Sequence, residues 1–555
     1  MIRNPRKEKT TRPYKYLELW CGCLNKIADM VLTEQTDLRT GDLIYGENMM
    51  DDPMKESQIQ KLFNGSTVLI TGGTGFLGKL LVEKLLRSCP DVKKLYLIAR
   101  PKKNKEITKR LQEQFDDELY NKLRKVSPDF EEKIGIIEGD VGLTGLGVSE
   151  EDRAKITKEV EFIFHGAATV RFDEALKTAV EINVRGTREM LHLARACTKL
   201  RAYVHISTAY SNCPLNEIDE KFYEAPLAGD KLIDLVENMD VKILNSITPG
   251  LLGEFPNTYA YTKSAAEDIV QKYSKGLPVA MFRPSIVIGT AREPLQGWID
   301  NVYGPTGVVV GAAVGLIHAL NCNPKAIADL VPGDLVVNGC IAAAWKTARD
   351  YPGNHEEAPV DQLPTIYNYV SSEQAPLSWE NFMKYNEVHG FEVPTISAIW
   401  YYLFMITPSK FLYNFYCLFL HWIPAYIVDA VLVLIGKKPM LRKAYKKIEK
   451  FSAVIGYFAL REWKFHNNNT QNLHKELCDA DKDIFNCDMG SVDWNEYCKA
   501  YIKGVRVHLL KDPLDTIPQS KRRHFRLKVL HYFCISLLCF GLVKLLMFLT
   551  RMVLG

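Results

Sequence analysis

A short apolar strand, Ser66-Thr-Val-Leu-Ile-Thr71, runs through the turn Gly72-Gly73-Thr74-Gly75 straight into the amphipathic stretch Phe76-Leu77-Gly78-Lys-Leu-Leu-Val-Glu-Lys-Leu-Leu. That succession of strand, glycine turn and helix is a cradle for a dinucleotide. Gly72, Gly75 and Gly78 stand three apart: the first permits the tight turn, the second lets a pyrophosphate approach the backbone, and the third lets helix lie close on strand. The first helical residues, Phe76 and Leu77, present free N–H groups and the positive end of the helix dipole to the phosphates.

The end of the second strand, Lys94-Leu-Tyr-Leu-Ile-Ala-Arg100, selects the nucleotide. A site for NAD usually ends that strand in a carboxylate for the ribose 2′-hydroxyl. Here Arg100 stands with Lys102 and Lys103, which suits a 2′-phosphate, so NADPH is the expected cofactor.

The 555 residues, 47% apolar and 25% charged, allow two cores plus attachments. A net charge of +4 is too small to argue for nucleic acid, and no run alternates basic with aromatic residues as a single-strand binding groove would. The 13 cysteines are scattered without C-x-x-C pairs or zinc spacing, so no metal site is expected and the soluble part belongs in a reducing, cytosolic setting. Residues 1–60 carry a basic cluster but no secretory signal pattern, and read as a flexible extension outside the core.

The opposite end is a membrane segment. From Val529 to Thr550 the only charged residue is Lys544, and thirteen residues are Leu, Ile, Val or Phe. At roughly 0.3 to 0.6 kcal/mol each these outweigh the ~3 kcal/mol cost of a lysine at the midplane. Lys521, Arg522, Arg523, Arg526 and Lys528 lie just upstream and hold the bulk of the protein on the cytosolic side. A second apolar region, residues 396–435, is interrupted by Pro408, Lys410, Pro424 and Asp429. It reads as buried helices of a C-terminal domain or as a hairpin dipping into one leaflet.

Between turn and tail, apolar strands at Gly135-Ile-Ile-Glu, Val160-Glu-Phe-Ile-Phe-His, Ala202-Tyr-Val-His-Ile-Ser and Pro278-Val-Ala-Met-Phe-Arg alternate with helical stretches such as 174–200. Alternation implies a parallel sheet with helices on both faces and a ligand at the strands' carboxyl ends. Asp140-Val141 and His165-Gly166-Ala167-Ala168 sit at such ends, where small residues let a cofactor lie against the backbone. In Asn257-Thr-Tyr259-Ala-Tyr261-Thr-Lys263, which opens a helix, Tyr259 and Lys263 are four apart and share a face. An ammonium beside the phenol favours its ionised form, bringing it toward the working range of a proton donor or acceptor. Lys263 can also hold the nicotinamide ribose, while Tyr261 faces elsewhere. Ser207 and Thr208 end the fifth strand; one of them, by preference Thr208, would hydrogen-bond a carbonyl oxygen as charge develops on it.

The order of the glycine turn, Asn183 in Ile182-Asn-Val-Arg-Gly-Thr, Ser207-Thr208 and Tyr259-x-x-x-Lys263 resembles the extended short-chain dehydrogenase/reductase superfamily. Arg283-Pro-Ser-Ile-Val and the segment from Glu293-Pro-Leu-Gln-Gly-Trp-Ile-Asp-Asn to Gly307 narrow the resemblance to membrane-associated fatty acyl-CoA reductases. It covers about Gln58 to the C-terminus. The fold it implies is α/β: a Rossmann-type doubly wound parallel sheet over 61–375, a smaller, mostly helical domain over 376–510, and a basic flank with a transmembrane helix over 511–555.

The activity it implies is reduction of a long-chain or very-long-chain acyl-CoA to a primary alcohol with two NADPH. Thr208 and Tyr259 would polarise the thioester carbonyl, the hemithioacetal would expel CoA, and the aldehyde would be reduced in the same site. Lys263 would orient the cofactor, Asn183 would support a water relay to it, and Pro284 and Ile286 would line the cofactor site. One departure is Gly333 in Val331-Pro-Gly-Asp, where the pattern expects a larger apolar residue. A sterol or nucleotide-sugar dehydrogenase would use the same Tyr and Lys, and a non-enzymatic membrane scaffold would keep the fold without turnover. The insertion Pro214 to Pro256 reads either as shaping the acyl tunnel or equally as a surface loop. The membrane expected is the endoplasmic reticulum, with a peroxisomal or lipid-droplet surface as the alternative, while chain length, release of aldehyde and oligomeric state stay open.

Overall fold

The structure is a computed structural model that describes residues 56–100, 106–351 and 363–554. Most of the N-terminal extension, together with Lys102 and Lys103, lies outside the described residues. The folded body begins slightly earlier than the sequence suggests. Ser57 caps a helix, Gln58–Phe63, whose Ile59 and Phe63 are buried, and the Asp481 carboxylate accepts from the backbone N–H groups of Gln58 and Ile59 at 3.2 Å.

Seven parallel strands form the central sheet: β1 (Thr67–Thr71), β2 (Lys94–Ala99), β3 (Ile134–Glu138), β4 (Phe162–His165), β5 (Ala202–Ile206), β6 (Val279–Pro284) and β7 (Thr365–Tyr369). Their spatial order is 7-6-5-4-1-2-3. The order reverses between β1 and β4, whose last residues, Thr71 and His165, are register partners, so a crevice opens there at the carboxyl ends. Central strands buried on both faces read as continuous apolar runs, and β1 is buried along its whole length. Helix Phe76–Ser88 follows β1, and helix Gly333–Asp350 packs against both it and the sheet. Gly333 begins that helix where a Cβ would stand 2.8 Å from Leu80 and 3.1 Å from Phe76, so neighbouring side chains already fill the space that the departure from pattern left open.

The chain after β7 is mostly helical and shares one continuous core with the sheet domain, in which Phe382, Phe485 and Tyr501 join Phe282 and Tyr369. A short ladder, Lys464–Phe465 against Glu217–Ile218, ties it to the segment after β5. Of the two readings of the apolar region 396–435, the structure overturns that of buried helices. Lys410–Leu434 is one helical run with a π-turn at Leu418–Trp422, and Pro424 lies in the first turn after it, where a missing N–H does least harm. The run is mostly exposed, with Phe411, Phe415, Phe419 and Ile427 open to the surroundings, so it is not a buried core helix. Asp429 accepts from the backbone N–H groups of Met440 and Leu441 at 2.9 Å and turns the chain back into helix Leu441–Leu460. The final helix, Ile517–Leu554, is a single 38-residue rod, exposed along nearly all its apolar part.

Candidate active site

The glycine turn closes as the sequence requires. Gly72 has φ +77°, and a Cβ there would meet Ala167 N and Gly166 C at 2.9 Å; a Cβ on Gly78 would stand 2.1 Å from Gly72 O. Gly75 N–H donates to Gly72 O at 2.9 Å. Thr71 locks the neighbouring strand end: its Oγ1 lies 2.8 Å from His165 Nδ1 and accepts from Ala167 N–H at 3.2 Å. A void with about 400 Å³ of empty space, open solvent included, lies beside this switch point, walled by Thr71, Gly72, Gly78 and Gly166 and, on its inner side, by Leu81, Val337 and Cys340. Phe76 stacks on Trp298, centroids 5.4 Å apart, and steadies the mouth of the helix.

Beyond β2, Arg100 is half-exposed and lies 3.4 Å from Asp140, whose other oxygen accepts from Gly142 N–H at 3.0 Å. Val141 turns inward to a core that includes Val184. Sequence reasoning missed a second guanidinium: Arg110, on helix Ile107–Phe115, donates to Arg100 O at 2.8 Å and reaches Thr74 of the glycine turn at 3.4 Å. Its signal was a basic helix opening directly after a basic loop.

Helix Thr258–Tyr273 carries the Tyr/Lys pair. Asn257 caps it, Oδ1 accepting from Ala260 N–H at 2.9 Å, and Tyr261 turns into the core against Phe255. Lys263 is buried and its ammonium donates to Ile206 O, the last carbonyl of β5, at 2.8 Å. Burial pulls that ammonium down to about 8, against the opposing pull of the Glu267 carboxylate. Tyr259 differs from expectation: withdrawal from water pushes its phenol up to about 12, and the hydrogen bond with Thr208 only moderates this. Lys263 is turned to the strand end and does not bring the phenol down.

The two strand-end hydroxyls separate by environment. Ser207 Oγ is committed to Glu267 Oε1 at 2.6 Å, and Glu267 is held bidentately by the fully buried Arg283, at 2.9 and 2.6 Å. Thr208 caps the short helix Ala209–Asn212 and meets Tyr259. Asn183 lies in a π-turn, Glu181–Arg185, and its amide links Thr169 O at 3.2 Å to Thr262 Oγ1 at 2.9 Å, fastening the Tyr helix to its neighbour.

Tyr259 also forms part of the wall of an apolar cavity with about 810 Å³ of empty space, its mouth included. Phe172, Tyr210, Val308, Trp379, Met383 and Phe458 are among its other walls. None comes from 214–256, so the insertion does not shape it; helices Pro305–Ala313, Trp379–Glu392 and Leu441–Leu460 do. Ile286, just beyond Pro284 at the end of β6, also faces this cavity. Among the described residues no cluster of His, Cys, Asp or Glu could hold a metal ion.

An NAD-binding family model described as male sterility protein matches residues 70–340, and a second, Sterile, with the same description matches 420–512. The chain is 41% identical over 87% of its length to "Fatty acyl-CoA reductase wat" of Drosophila melanogaster, covering 92% of that protein. The chain belongs to the fatty acyl-CoA reductase family. The reductase is also 37% identical to human "Fatty acyl-CoA reductase 2", over 86% of this chain and 91% of that one. Among solved structures, the terminal reductase domain of the myxalamid biosynthetic pathway superposes with a TM-score of 0.51 at 20% identity, over 80% of this chain and 91% of the other, and shares its fold. The reductase is an oxidoreductase that uses a nicotinamide cofactor.

Proposed function

We propose that this reductase converts long-chain or very-long-chain acyl-CoA to primary alcohol and free CoA, using two NADPH and passing through an aldehyde. The observation that carries the reading is the placement of Tyr259, beside Thr208 and in the wall of an apolar cavity, on the same helix as the Lys263 that meets the carboxyl end of β5. Pockets of this kind, apolar with a few convergent polar groups, suit a lipid whose reactive end must be oriented.

The cofactor fits the residues present. Gly72, Gly75 and Gly78 leave room for a pyrophosphate, Phe76 and Leu77 offer helix N-terminal N–H groups, and Arg100 with Arg110 would take a 2′-phosphate. Asp140, Val141, Gly166, Ala167 and Pro284 would line the remainder, with Lys263 toward the ribose. Bound NADPH supplies a hydride for each of the two reductions. Thr208 and Tyr259 hydrogen-bond the thioester oxygen and stabilise the charge that develops on it. A phenol at about 12 keeps its proton at neutral pH, which suits a reduction, because the alkoxide produced is the stronger base and takes the proton from Tyr259. Asn183, which fastens the Tyr helix through Thr262, would support a water relay to Lys263 that replaces that proton.

The last helix would anchor the protein through 529–550, with the sheet domain cytosolic and the endoplasmic reticulum the preferred membrane. Its basic flank supports this orientation, and the exposed Lys410–Leu434 run supports a hairpin dipping into one leaflet beside it.

The test is product analysis on membranes given acyl-CoAs of graded length with NADPH, with wild type and Tyr259→Phe compared. Fatty alcohol from wild type and none above background from the variant is expected. Failure to consume NADPH with any acyl-CoA would overturn the reading and favour a sterol-type substrate.

A further inference from the structure

A second cavity, with about 640 Å³ of empty space including its open mouth, meets the first at Met383, which forms part of both walls. The spacing of the walls shows how the two are related. On helix Trp379–Glu392, residues 379, 382 and 383 face the first cavity, and 383, 386, 387, 390 and 391 the second. On helix Pro305–Ala313, 305 and 308 face the first, and 309, 312 and 313 the second. Steps of three and four residues trace one stripe along each helix, so both cavities lie on a single track about 18 Å long by helical rise.

The track starts at Tyr259 and ends at the membrane helix. Tyr402, Ala398 and His524 close the far end, and His524 precedes the apolar segment at Val529 by little more than one turn. The base of that helix is fixed there: Arg506 donates to Asp512 Oδ1 at 2.8 Å and Ser520 Oγ at 3.2 Å, and Tyr401 lies 4.9 Å from the His524 ring. Val309, Ala312, Ala313, Ile502, Val505 and Leu510 make the second cavity largely apolar. Glu387, an exposed carboxylate on the wall, has its carboxyl raised above the ordinary value by partial burial.

We propose that the acyl site continues past Met383: the second cavity takes the distal methylenes of the longest chains, whose free end rests against the base of the membrane helix, and Met383 sets the length at which a chain must pass from one cavity to the other. Methionine is suited to this position because its unbranched thioether side chain can change rotamer without branching at Cβ. Tyr259 would keep one register for every substrate, and only the far end would vary. The proposal rests on the acyl-CoA reading above.

The experiment measures turnover of acyl-CoAs of graded length by full-length protein in membranes for wild type, Met383→Trp, Met383→Ala and Ala313→Phe, with melting temperature as the control for folding. Trp at 383 is expected to shift the preferred length downward and cut turnover of the longest chains at least about tenfold relative to the shortest. Ala at 383 is expected to shift the preference upward. Ala313, which faces only the second cavity, keeps the test valid if Trp at 383 does not fold: Phe there should suppress the longest chains selectively. An unchanged length profile in folded variants at both positions overturns the proposal. Wild type that consumes no acyl-CoA of any length overturns the acyl-CoA reading instead.

Discussion

Tyr259 and Lys263 occupy the same helix face but opposite sides of an electrostatic argument: burial keeps the proton on the phenol and loosens it on the ammonium. Tyr259→Phe should therefore lower kcat by about 10²- to 10⁴-fold, the range for a lost proton donor, while leaving the melting temperature nearly unchanged; steady-state kinetics beside thermal unfolding would show it. Lys263 titrates near 8 in the folded protein against an ordinary 10.5, so kcat/KM should fall as pH rises above about 8 and the charge is lost. The stability effect has the opposite sign. Between about 8 and 10.5 the unfolded chain binds the proton that the folded one has released, so this residue makes stability rise with pH across that window, and burial of the charge opposes folding below it. Lys263→Met should flatten that rise, which denaturant melts at pH 7.5 and 10 would compare. Ser207 and Thr208 could be ranked in the sequence but not separated by environment, because the partner that engages Ser207 is 60 residues away. Glu267→Gln should destabilise the fold by about 3 to 5 kcal/mol in chemical denaturation, since it leaves the buried Arg283 without its counter-charge.

At the level of elements, the legible parts were those with a local code. The glycine turn, the capped Tyr helix and strands β1 to β6 follow from periodicity and turn chemistry within a few residues of one another. The π-turn at Glu181–Arg185 adds one residue to a helix without disturbing its apolar spacing much, so a sequence pattern passes over it. The walls of the apolar cavity were misplaced to 214–256 because a void is bounded by whichever helices fail to meet, and that is settled by packing across long separations. Local geometry makes two elements testable. Gly78→Ala would force a Cβ to within 2.1 Å of Gly72 O; it should raise KM for NADPH more than tenfold, on the order of the 1 to 3 kcal/mol of an overpacked contact. Arg110→Ala, read as the ratio of kcat/KM for NADPH over NADH, should reduce that ratio by about tenfold, in keeping with one charge-assisted contact of 1.5 to 3 kcal/mol.

At the level of the whole molecule, the base of the last helix closes the far end of the cavity track, and a second exposed apolar helix, Lys410–Leu434, belongs to the same C-terminal part. Deleting 529–555 keeps Arg506, Asp512 and Ser520 together, so the body should fold, and the exposed Lys410–Leu434 face should still hold it to membranes. Alkaline carbonate should then release the truncated protein into the supernatant while the full chain stays in the pellet. The sequence by itself determined the nucleotide cradle, the Tyr/Lys pair and the terminal apolar helix, because each depends on residues within one or two turns of the chain. Only the tertiary structure decided that Lys263 turns to the end of β5, that Glu267 and Arg283 claim Ser207, and that the apolar cavity beside Tyr259 lies under the C-terminal helices. Those outcomes depend on which buried charges find partners and which helices close over the sheet, and both are set by contacts tens to hundreds of residues apart.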